Sequence, residues 1–135
     1  MSDASDALRR HWPEYLIEAT GLGVFMIMAG VCAMLLEHPR SALAHAIPST
    51  DLRRALIGIA MGLTAIAIIY SPWGRQSGAH LNPAVTLTFL RLGKVSPADA
   101  LFYVLAQFAG GVAGTLVLAA ALGEWFILPP ISAAG

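Results

Sequence analysis

Three long apolar runs, separated by short polar breaks, organise the chain. A helix needs about 20 apolar residues to cross roughly 30 Å of hydrocarbon at 1.5 Å per residue. Residues 16–36 supply 21 positions, interrupted by Glu18 and Thr20 and ended by the charged, proline-containing "EHPR". Residues 55–70 are short at 16, with Leu52 and Trp73 available to extend them to the interface. Residues 100–122 carry no charge over 23 positions and begin behind "SPAD". There Ser96 suits an N-cap, and Pro97 suits the first helical position. The pattern predicts helices over about 14–36, 52–73 and 98–124. A cleaved signal peptide is the alternative for the first run, because Arg9 and Arg10 precede it and Ala44-His45-Ala46 imitates a cleavage site. Its apolar region exceeds the roughly 7 to 15 residues such signals use, and "EHPR" separates it from that site, so a span is preferred.

A fourth apolar stretch, 83–92, has 10 residues. As a helix it would run roughly 15 Å, half the hydrocarbon thickness. It follows the polar, glycine-bearing "SGAHLNPAVT" of residues 77–86. Asn82 is a favoured N-cap, and Pro83 at the first helical position gives up no needed N–H. The segment 77–92 therefore reads as an extended stretch turning into a half helix. Irregular backbone is tolerated at membrane depth only when buried in protein or lining a water-filled cavity. A surface loop followed by an interfacial amphipathic helix, anchored by Arg91 and Lys94, is the competing reading. Spacing alone leaves both open.

Composition agrees with a bilayer environment: 57% of residues are hydrophobic and 12% charged, and mean hydropathy is +0.70, against roughly 25% charged residues in soluble domains. No linker or charge block divides the chain, so residues 1–135 read as one domain. Eight basic and eight acidic residues cancel, which gives no electrostatic case for nucleic acid. Cys32 stands alone and closes no intrachain disulfide. No nucleophile–base pair, paired carboxylates, metal-ligand spacing or phosphate loop points to an enzyme, a cofactor or a metal. Gly58 with Gly62, and Gly110 with Gly114, are small-xxx-small pairs suited to close helix packing. Arg9, Arg10, Arg75, Arg91 and Lys94 fall on the N-terminal side, and Arg40, Arg53 and Arg54 on the other. That bias favours a cytoplasmic N-terminus and leaves dual topology open.

The decapeptide "SGAHLNPAVT" resembles the first signature loop of the aquaporin and glycerol-facilitator family. "IEATGLGVFMIMAG" is similar to the family's first helix, with its acid at Glu18, "AMGL" to a turn of the second, and "ADALFYVLAQFAGGVAG" to the third, including Gln107. The resemblance covers residues 12–122. It implies an all-α membrane protein with three transmembrane helices and one re-entrant half helix, and a passive water channel with small neutral solutes such as glycerol or urea as further permeants. It also implies that Glu18 and Gln107 support the loop, against readings as a snorkelling acid and as helix–helix glue. The backbone carbonyls of Gly78, Ala79 and His80 would line the path. Met61 would lie at the narrow mouth, where a generic bundle would use it as core filler. His80 reads as a packed, hydrogen-bonded loop residue.

Family members carry two such repeats in one chain, and their second Asn-Pro-Ala is followed by an arginine that narrows the pore. Here Asn82-Pro83-Ala84 occurs once, Val85 follows it, and nothing after residue 86 resembles residues 77–86. The expectation is half a channel, completed by a second, inverted copy so that two Asn82 amides meet at the centre. By analogy, such pores assemble into tetramers of pores. A hetero-pair with another chain, or a non-conducting structural or truncated membrane protein, are the alternatives; the tail "LPPISAAG" fits the last. Without the arginine, the mouth would be wider or less ion-proof.

Overall fold

Pro72, Pro83 and Pro97 each open a helix directly behind a capping side chain, and these three starts fix much of the architecture. A computed structural model describes residues 3–126; the tail 128–135 lies outside the described residues. The helices are α1 (Asp3–Glu37), α2 (Ala42–Ala46), α3 (Thr50–Tyr70), α4 (Pro72–Ser77), α5 (Pro83–Arg91) and α6 (Pro97–Leu122), followed by a 3₁₀ turn, Gly123–Trp125. No strand occurs among the described residues. Among the described residues three helices are long and apolar enough to cross a membrane, those beginning at Ala4, Thr50 and Pro97. The protein is an all-α integral membrane protein.

Helix α1 starts earlier than its apolar pattern suggests, because the mixed, charge-bearing residues ahead of Pro13 are also helical. It bends at His11, whose φ of −118° and ψ of 15° are not helical. Pro13 supplies the reason: its ring removes one backbone N–H and crowds the preceding turn. The bend is tied to α6, since His11 Nδ1 lies 2.7 Å from Asp99 Oδ1 and the Tyr15 hydroxyl donates to the same oxygen at 2.6 Å. Ser96 caps α6 by accepting from the Asp99 N–H at 3.1 Å, and its hydroxyl donates to Asp99 Oδ2 at 2.6 Å.

Helices α1 and α6 form the central pair. A Cβ on Gly110 would run into the carbonyl of Ala19, and one on Gly114 into the carbonyl of Gly23. Only glycine lets these backbones touch, and in lipid such close packing drives helix association. Gly58 and Gly62 pack against nothing within the chain: a Cβ at either position would meet nothing within 4 Å. They sit on α3, which has no buried residue, so this pair faces away from the rest of the chain. A groove of about 620 Å³ opens between α1 and α3, lined by Thr20, Val24, Thr64, Ile68 and Trp73 among others.

Candidate functional site

The loop between α4 and α5 is built from residues that resist regular structure. Gly78 ends α4 at φ +88°, and Ala79 and Leu81 also take left-handed conformations at φ 45° and 51°. Each such non-glycine residue costs roughly 1–2 kcal/mol, so the loop needs outside support to persist.

Glu18 supplies it. This α1 side chain is fully buried. Its Oε1 accepts from the Ser77 hydroxyl and the His80 N–H, both at 2.9 Å. Its Oε2 accepts from the Leu81 N–H at 2.7 Å and from Gln107 Nε2 at 3.0 Å. Four donors converge on two oxygens, matching the acceptor-only character of an ionised carboxyl group. Removing such a group from water is expensive unless every lone pair is engaged, and this hydrogen-bond set engages them with neutral donors alone.

Gln107, also fully buried, spends its amide nitrogen on Glu18 Oε2 and on Thr86 Oγ1, each at 3.0 Å. Its Oε1 is buried without a partner. Turned over, that carbonyl would face the carboxylate, so the network fixes the orientation of the amide. The Ala19–Gly110 contact, next to Glu18 in α1 and one turn beyond Gln107 in α6, holds the two side chains at bonding distance.

Three further residues carry the loop that the sequence reading did not single out. Ser77 and Thr86 bracket the decapeptide, and both are buried. The Tyr103 hydroxyl donates to the Ser77 carbonyl at 2.6 Å. The His80 ring stacks on Phe89 with centroids 4.8 Å apart and planes 9° apart, and Tyr103 tilts against it at 4.8 Å. A hydroxyl at each end of a polar loop and aromatic residues on the flanking helices were the available signals.

Asn82 caps α5, its Oδ1 accepting from the Ala84 N–H at 2.8 Å. Asn82, Ala84 and Val85 are exposed, and Pro83 is half-buried. The Asn82 NH₂ and the carbonyl oxygens of Gly78, Ala79 and His80 have no hydrogen-bond partner among the described residues. The loop therefore turns its N–H groups to Glu18 and Ser77 and leaves a short run of free acceptors beside a free donor. Met61 is half-buried on α3, one turn from Thr64, and is not among the residues lining the groove.

A membrane-spanning helical unit that carries a strained polar loop on a buried acid, with a capped short helix behind it, defines the class. Residues 5–127 match the family described as Major intrinsic protein, and the chain belongs to that family. It is 35% identical over 114 residues to Aquaglyceroporin AqpS of Rhizobium meliloti, covering 84% of this chain and 44% of that protein. It is 32% identical over 110 residues to Probable aquaporin NIP7-1 of Arabidopsis thaliana, covering 78% of this chain and 35% of the relative. Aquaporin Z of Photorhabdus laumondii is 31% identical over 97 residues, 72% of this chain and 39% of that protein. The chain thus spans less than half the length of these relatives. No solved structure matches the chain.

Proposed function

We propose that the chain forms one half of a passive water pathway, with Asn82 and the N-terminus of α5 at its narrow centre. The observation that carries this reading is the set of free carbonyls at Gly78, Ala79 and His80 beside the free Asn82 NH₂. At membrane depth such groups must meet water or protein, and a run of free acceptors next to a free donor along the chain suits water in single file. Helix α5 has nine residues, roughly 14 Å at 1.5 Å each, which fits a half helix re-entering from the side on which the N-terminus lies. Its N-terminus carries roughly half a positive charge and so disfavours cations while admitting neutral water.

A second unit in inverted orientation completes the path, and a second copy of this chain supplies it. The unburied face of α3 and the open groove beside α1 are compatible with such a neighbour. The N-terminus is cytoplasmic in the favoured orientation, and the mouth, with Val85 after the Asn-Pro-Ala, passes small neutral solutes such as glycerol or urea as well as water.

Stopped-flow light scattering on liposomes containing only this protein tests the reading. Shrinkage well above that of empty liposomes, lost in Asn82→Asp, is the expected result. Folded protein that shrinks vesicles no faster than bare lipid would sink the reading of a pathway built from one gene product.

A further inference from the structure

We propose that Thr86 is a positioning residue whose hydroxyl proton sits on its bond to His80, holding that ring neutral with its own N–H on Nε2. The Thr86 Oγ1 lies 3.0 Å from Gln107 Nε2, 3.1 Å from His80 Nδ1 and 3.4 Å from the Asn82 carbonyl. An amide nitrogen only donates, so the bond from Gln107 occupies one lone pair of the hydroxyl. The single hydroxyl proton then has two candidate acceptors. The Asn82 carbonyl already accepts the Thr86 backbone N–H at 3.1 Å, and it is the more distant of the two. His80 Nδ1 is nearer, and the hydroxyl is its partner. The shorter distance assigns the proton to Nδ1, which then presents a lone pair.

Phe89 stacks on the ring and Tyr103 tilts against it, both at 4.8 Å, which holds its plane. The contact with Thr86 selects the Nδ1 edge, because a half-turn of the ring that keeps that plane would put a carbon there. The opposite nitrogen, Nε2, lies beside Gly78, where a Cβ would stand 3.5 Å away. One hydroxyl thereby links α6 through Gln107, the first turn of α5 through its own backbone, and the loop through His80. The consequence for permeation rests on the pathway reading above: with His80 locked, its carbonyl and Asn82, two residues on, keep one aim.

Nitrogen-15 NMR of histidine-labelled protein in lipid nanodiscs reads the assignment directly, whether or not the protein conducts. The expected wild-type spectrum has an unprotonated, hydrogen-bonded Nδ1 at His80 and a protonated Nε2. In Thr86→Val, which keeps the shape and removes the hydroxyl, the Nδ1 resonance should move to that of a free lone pair, and Thr86→Ser should restore it. A protonated Nδ1 in the wild type, or an Nδ1 resonance indifferent to Thr86→Val, would overturn the proposal. In parallel vesicle assays, Thr86→Val should lower water permeability about tenfold, equivalent to roughly 1.4 kcal/mol, with Thr86→Ser within about twofold of wild type. Equal permeability of wild type and Thr86→Val would overturn the positioning role. A wild type that conducts nothing would instead remove the pathway reading and leave the NMR result to decide the proton.

Discussion

Replacing Glu18 with Gln keeps the shape of the loop's support and changes one acceptor oxygen into a donor. If the new NH₂ takes the place of Oε1, it faces Ser77, whose hydroxyl can rotate to accept, and the His80 N–H, which cannot. If it takes the place of Oε2, the Gln107 amide can turn over to accept, and the Leu81 N–H cannot. Either arrangement leaves one backbone N–H of the strained loop facing a donor. A hydrogen bond to a charged group contributes about 1.5–3 kcal/mol, and a buried unsatisfied donor costs about 1–3 kcal/mol, so the two overlapping terms give a loss of about 3 kcal/mol. That loss falls on local opening of the loop, because the α1–α6 crossing through Ala19, Gly23, Gly110 and Gly114 is untouched. At 1.4 kcal/mol per tenfold, amide hydrogen exchange at His80 and Leu81 should accelerate about a hundredfold. Exchange mass spectrometry on both proteins in the same nanodiscs, resolved over residues 77–86, measures it. Acceleration below about threefold at both amides would refute the claim that this carboxylate holds the loop.

The two glycine pairs should respond oppositely. Gly110→Ala drives a methyl group into the Ala19 carbonyl and should cost about 1–3 kcal/mol of stability by equilibrium unfolding in mixed micelles. Gly58→Ala meets open space and should stabilise α3 by up to about 1 kcal/mol through helix propensity; a loss there would contradict the described packing. Tyr103→Phe removes the hydroxyl bond to the Ser77 carbonyl and should cost about 1 kcal/mol, read as roughly fivefold faster exchange around Ser77 and Gly78, while unchanged exchange would show that the bond holds nothing.

What could be read from the chain was chiefly local. Asn82 before Pro83, and Ser96 before Pro97, announce helix starts through cap chemistry that involves neighbours only, and the structure forms both. The bonds from Glu18 to His80 and Leu81 join residues 62 and 63 positions apart, a pairing no spacing rule gives and only the family resemblance implied. Ser77, Thr86 and Tyr103 carry little signal in the sequence, because a hydroxyl in a loop or helix is common, and its partner appears only when α6 lies against the loop. Gly58-Gly62 and Gly110-Gly114 have the same spacing, yet one pair faces outward and the other meets α1. The sequence pattern encodes the capacity for close contact, whereas the bundle decides where contact occurs. The helical segment ahead of Pro13 forms no apolar run, because Asp, Ser, Arg and His are interspersed with Ala4, Ala7, Leu8 and Trp12.

The most direct test of a pathway past the N-terminus of α5 is chemical block at one atom of it. Ala84 is exposed beside Asn82 in the first turn of that helix, and Cys32 is the chain's one native thiol. In a Cys32→Ser background, Ala84→Cys should conduct water until a small thiol reagent is added, after which vesicle shrinkage should fall to the rate of bare lipid and recover on reduction. Complete labelling of that cysteine with shrinkage unchanged would contradict the account, because water would then be passing elsewhere.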